Sequence, residues 1–136
     1  MKISAAILAS ACAVVLVAAP ANAQEQQQAG DGEPFVVNKE LAKAGKNVWT
    51  GKGCMGCHSI GKGKLAGPDL NGLYERRQTE WVKTWLKNPE AMYETDEAVK
   101  AMLKEWNGLK MPNMKLKDTE IDAVMHYIGE QQKAKK

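Results

Sequence analysis

The chain is short of the residues that ordinarily staple or fill a small fold. Its 136 residues include three cysteines, one phenylalanine and two histidines, and aromatic side chains amount to 6%. An odd, low cysteine count gives no disulfide framework. A closed zinc site needs four ligands, usually from two Cys/His pairs, and beyond Cys54, Cys57 and His58 the body of the chain offers only His126. Alternating β-branched stretches are almost absent, so no sheet is expected. Neither sign of charge dominates: a net charge of +3 is too weak a bias for nucleic-acid binding. No apolar run reaches the ~20 residues that span a bilayer, and no internal repeat is visible.

The longest apolar run, Ile3 to Ala19, follows Lys2 and precedes Pro20 and the triplet Ala21-Asn22-Ala23. This is the layout of a secretory signal peptide cut before Gln24, which implies export to the periplasm and no stable membrane insertion after cleavage. Cys12 is discarded with it, since Val14 to Val17 continue the run where a lipidated cysteine would end it. The expected organisation is a signal peptide at 1–23, a flexible leader at 24–38, one domain at 39–133 and a basic tail at 134–136. Gln24 to Pro34 is too polar to order itself. Loss of 23 residues leaves 113, enough for one small core, and lowers the net charge to +2.

What is present is concentrated at residues 51 to 61, "GKGCMGCHSIG". A thioredoxin-like dithiol belongs in a βαβ setting that this chain does not offer. A disulfide closing so short a loop would restrict the unfolded chain very little. Cys-x-x-Cys-His is the signature of covalent attachment of a c-type haem, and that is the expectation. Two thiols three residues apart on a helical turn can add to the two vinyl groups along one porphyrin edge. His58 then falls beneath the ring, where an imidazole nitrogen reaches iron.

Helical periodicity carries the rest, giving an all-α chain of about four helices. Residues 39 to 50 place Leu41, Ala44, Gly45 and Val48 on one side. Thr79 is a candidate cap for a helix carrying Trp81, Val82, Trp85 and Leu86, stopped by Asn88-Pro89. A third is expected from about Thr95 to Asn107, with Val99, Met102, Leu103 and Trp106 at helical spacing and Gly108 to end it. The last runs from about Asp118 to Gln132 on Ile121, Val124, Met125 and Ile128.

With "AGKNVW" before the attachment motif, "GPDL" after it, "EWVKTWLKNPEAM" in the middle and "KMPNMKLKDTEIDAVMHYI" at the end, the chain resembles a class I monohaem cytochrome c through residues 40 to 130. The resemblance implies one covalent haem c with His58 and Met111 as axial ligands. It also implies that the Pro68 carbonyl accepts a hydrogen bond from the outer nitrogen of His58, and that Gly45 lets the first helix cross the last closely near Tyr127. Two departures stand out. Met92 to Leu109 is longer than compact members need, and Lys117 occupies the place of a serine N-cap.

Met111 and Met114 are both chemically competent ligands; Pro112 stiffens the backbone after Met111, whereas Met114 suits apolar packing. His126 is expected to face solvent. Trp81 and Trp85 are core candidates, and either of them, or Arg77, is a candidate hydrogen-bond donor to a haem propionate.

Two strong-field ligands leave iron no open position, which implies an electron carrier and not an enzyme. The implied partners are a quinol-oxidising complex or dehydrogenase as donor and a terminal oxidase or reductase as acceptor. The alternative is a cytochrome subunit of a periplasmic oxidoreductase whose catalytic site lies on another chain. Lys52, Lys62 and Lys64 flank the attachment turn and Lys110, Lys115 and Lys117 the methionine loop, a basic rim suited to an acidic partner.

Overall fold

The computed structural model describes residues 34–132. The signal-peptide expectation at 1–23, most of the leader and the basic tail at 134–136 lie outside the described residues. Among the described residues there is no strand, as expected, and no helix long and apolar enough to cross a membrane.

Helix α1 (Lys39–Gly51) starts where the Asn38 side chain accepts the N–H groups of Glu40 and Leu41, satisfying two donors that the first turn leaves unpaired. Its buried stripe is Ala42, Gly45 and Trp49, with Leu41 and Val48 half-buried. Ala44, expected inside, is exposed. The shift follows from Gly45, which draws α1 onto the final helix, α6 (Asp118–Gln131): a Cβ there would overlap the Ala123 carbonyl and lie 2.8 Å from the Tyr127 Cβ. The α1–α6 crossing is the most extensive helix contact in the chain.

Between them lie four further helices, α2 (Leu73–Arg76), α3 (Thr79–Lys87), α4 (Pro89–Thr95) and α5 (Glu97–Glu105). Among the described residues that makes six α-helices where about four were expected. The surplus comes from a one-turn helix and from Asn88-Pro89, which does end α3 but also begins α4: Asn88 caps Ala91 N–H at 3.3 Å and proline fits the first helical position. Thr79 opens α3 from inside, with Gln78 before it and no side-chain cap. Asp96 caps α5 through Val99 N–H at 3.0 Å. That helix ends two residues earlier than expected because Asn107, at φ 52, takes the left-handed position; Gly108 N–H then reaches back to the Leu103 carbonyl at 2.7 Å.

At α6 the Lys117 side chain supplies no cap. Glu120 replaces half of the missing one by accepting Lys117 N–H at 2.8 Å, and Lys52 Nζ lies 3.5 Å from the same carboxylate.

The leader expectation needs correcting at its end. Phe35 stacks on Tyr74, ring centroids 4.1 Å apart, and the Phe35 and Val37 side chains press on Gly129. The polarity that argued for disorder stops at Pro34, and the apolar residues after it have somewhere to be buried. His126 is half-buried in the same seam instead of facing solvent: its Nδ1 accepts Asn38 N–H at 3.2 Å, and Phe35 tilts over it at 4.9 Å.

Candidate functional site: the attachment turn and the methionine loop

The end of α1 runs directly into the motif. Gly53, at φ 74, turns the chain into a 3₁₀ turn at Cys54–Gly56, and the N–H groups of Cys57 and His58 both bond to the Cys54 carbonyl, at 3.1 and 2.9 Å. Both thiols are free; Cys54 is half-buried and Cys57 exposed. Burial pushes the Cys54 thiol above its ordinary value.

His58 is held from its outer edge. Its Nδ1 lies 2.9 Å from the Pro68 carbonyl oxygen, the contact expected from the resemblance. A carbonyl only accepts, so Nδ1 carries the proton and Nε2 keeps its lone pair. The backbone of Gly67 passes flat against the ring: a Cβ there would lie 2.5 Å from the imidazole Cε1 and 2.8 Å from Nδ1. Gly67 N–H bonds the Cys57 carbonyl at 2.7 Å, closing the loop onto the motif.

Asp69 organises that loop, though no local pattern singles it out. Its carboxylate accepts N–H from Gly61, Gly63 and Asn71 at 2.7, 2.6 and 2.8 Å. Burial works to raise its pKa, but the N–H groups of Gly61, Asn71 and Gly63 outweigh it and bring the carboxyl down to about 2. Arg76 adds a bond to the Asp69 carbonyl at 3.1 Å and to that of Asn71 at 2.6 Å. Pro68 is thereby fixed between a glycine packed on the imidazole and an aspartate tied down on three sides.

The second half of the site is the loop before α6. Met111 is half-buried, and its Sδ accepts the indole N–H of Trp85 at 3.2 Å. Tyr93 hydroxyl donates to the Met111 carbonyl at 2.6 Å. Met114, also half-buried, packs against the apolar core, the role its position suggested. The two tryptophans stack in parallel on α3, centroids 5.8 Å apart. Trp81 donates to Asp96 at 2.8 Å, so both indole N–H groups are engaged within the protein. Arg77 lies over the Trp81 ring at 5.0 Å and donates to the Arg76 carbonyl at 3.0 Å.

Asp69 and Tyr93 are the residues bonded to the site's two loops that the sequence did not single out. Only "GPDL" pointed near the first, and nothing in the local pattern distinguished the second from an ordinary core tyrosine.

The sequence matches the family described as Cytochrome c over residues 42–132. Cytochrome c from Rhodothermus marinus has the same fold, with a TM-score of 0.65 at 23% identity over 71% of this chain and 80% of its own. An engineered cytochrome c from the same organism, Rma TDE, gives 0.64 at 21% identity, over 71% of this chain and 82% of that one. The cytochrome c domain of the pp3183 protein from Pseudomonas putida is 34% identical, with a TM-score of 0.56 over 63% of this chain and 85% of that domain. No curated protein matches the sequence. The family binds haem c covalently, and a half-buried and an exposed thiol on one turn, followed by a histidine with its inner nitrogen left unprotonated, suit that cofactor. On the strength of that family match, which spans nearly all the described residues, the chain belongs to the cytochrome c family of haem-based electron-transfer proteins.

Proposed function

We propose that the chain is a periplasmic one-electron carrier in which His58 and Met111 ligate the iron of a single covalent haem c. The observation that carries this reading is the His58 Nδ1 to Pro68 contact at 2.9 Å, which commits the outer nitrogen to the backbone and leaves the inner one available to a metal. When bound, the haem supplies a one-electron Fe(III)/Fe(II) couple.

The protein's own residues then do three things. Cys54 and Cys57 fix the cofactor edge to the turn after α1. Pro68, backed by Gly67 and Asp69, orients the imidazole. Met111, on the loop stiffened by Pro112, offers a soft thioether that favours the ferrous state and fills the remaining coordination position. Closure of both faces suits electron transfer and disfavours substrate chemistry, so the chain is not read as an enzyme. Export to the periplasm rests on the apolar run Ile3 to Ala19 and the Ala21-Asn22-Ala23 site.

Potentiometric titration of the purified holoprotein tests this. The account expects one reversible one-electron couple with a positive midpoint, and a weak long-wavelength sulfur-to-iron band in the ferric form. The partners are a quinol-oxidising complex or dehydrogenase as donor and a terminal oxidase or reductase as acceptor.

A second reading is a cytochrome subunit of a periplasmic oxidoreductase. It is favoured by the 34% identity to a structure described as one domain of another protein. Salt-resistant co-purification with a catalytic chain from the native periplasm would select it.

A further inference from the structure

The stretch between α3 and α6 that exceeds what compact relatives need is where the chain grips its methionine loop. Four contacts converge on residues 110–113. Tyr93 hydroxyl donates to the Met111 carbonyl at 2.6 Å, and Asn113 Nδ2 donates to the Glu90 carboxylate at 2.7 Å. The Lys110 ammonium sits 4.9 Å from the centroid of the Tyr93 ring. Trp85 donates to the Met111 sulfur at 3.2 Å and meets Tyr93 edge-on, with centroids 5.4 Å apart and planes at 84°.

Glu90 and Tyr93 are three residues apart on α4 and so share one face of it, from which they hold the loop on both sides of Pro112. Tyr93 is buried, and its hydroxyl can only donate to the carbonyl it meets. A thioether sulfur has two lone pairs, so the indole N–H takes one and leaves the other for a metal.

We propose that Tyr93 is a positioning residue for the axial-ligand loop: with Glu90, it holds Met111 in place against displacement by competing ligands. This rests on the assignment of Met111 as ligand made above. The thermodynamics are those of a closed state and a rarer open one. An external ligand binds the ferric centre only when Met111 has let go, so its apparent affinity is the intrinsic affinity multiplied by the open fraction. Every contact made only in the closed loop lowers that fraction. A typical net hydrogen bond changes it by about two- to twelvefold.

The probe is imidazole, titrated into the ferric holoprotein and followed through the visible spectrum and the sulfur-to-iron band. Tyr93→Phe keeps the ring and its contact with Trp85 and removes only the hydroxyl; it is expected to tighten imidazole binding about two- to twelvefold. Glu90→Ala is expected to act in the same direction and more weakly, its side chain being exposed. Tyr74→Phe is the control, because the Tyr74 hydroxyl makes a like bond to the Met125 carbonyl at 2.7 Å, on the α6 side and away from the loop. It is expected to lower overall stability and leave imidazole affinity unchanged. Wild-type affinity in Tyr93→Phe, or equal tightening in Tyr74→Phe, overturns the clamp while leaving Met111 as ligand. A wild-type ferric spectrum without the sulfur-to-iron band overturns the ligand assignment, and the clamp with it.

Discussion

Gly45 on α1 meets the backbone of Ala123 on α6 so closely that a Cβ at position 45 would overlap the Ala123 carbonyl oxygen. Only Lys52 and Gly53 separate the end of α1 from the attachment turn, so the crossing and the motif are closely tied along the chain. Gly45→Ala should separate the helices and destabilise the holoprotein by about 3 kcal/mol, the upper range for overpacking a core. Denaturant unfolding followed by far-UV circular dichroism measures this, and an unchanged midpoint would show that the crossing tolerates a side chain.

Asp69 gives a pH dependence whose sign is fixed. Its folded pKa of about 2 lies below the ordinary 3.8, so its stabilisation is fully present above about 4 and is lost as pH falls toward 2. Asp69→Asn puts an amide NH₂ among N–H donors and should cost about 1–3 kcal/mol near neutral pH. The stability difference between wild type and variant should shrink as pH drops from about 4 to about 2. A gap that stays constant over that range would mean the carboxylate charge is not what holds the loop.

Cys57→Ala should leave a chain with no stably attached, correctly ligated haem. Acid-organic extraction of the wild-type protein should leave all haem on the polypeptide, because thioether bonds survive treatment that releases non-covalent haem. Haem found wholly in the organic phase from wild type would refute covalent attachment.

The basic rim is smaller than the sequence implied. Lys64 is 2.6 Å from Glu105 and lies over Trp106 at 4.7 Å, Lys52 pairs with Glu120, and Lys110 sits on Tyr93. Lys62 and Lys115 make no such contact among the described residues. Lys62→Glu with Lys115→Glu should therefore slow second-order transfer to an acidic partner and flatten its dependence on ionic strength, with the visible spectrum unchanged. Stopped-flow rates at several salt concentrations decide. Rates insensitive to both salt and substitution would move the docking face to exposed apolar side chains such as Met55 and Leu65.

The motif at 54–58 was legible because its chemistry is local: spacing alone sets where two thiols and an imidazole fall. The α6 stripe was legible for the same reason, since Ile121, Val124, Met125 and Ile128 are all buried. What local pattern did not carry were choices made by tertiary contacts. Asn88-Pro89 reads as a stop, and whether a helix restarts there depends on Met92 and Tyr93 finding a core. Phe35 follows a polar stretch, and its order is explained by Tyr74, His126 and Gly129, all far along the chain. The partners of the Trp81 and Trp85 indoles, Asp96 and the Met111 sulfur, lie well beyond α3 in the chain and so left no trace in its local pattern.

The account stands most directly on the ferric absorption spectra of Met111→Ala and Met114→Ala recorded beside wild type. The prediction is that wild type and Met114→Ala show the weak sulfur-to-iron band and that Met111→Ala alone has lost it, with a lower midpoint potential. Loss of the band in Met114→Ala with its retention in Met111→Ala would contradict the account and move the axial ligand to Met114.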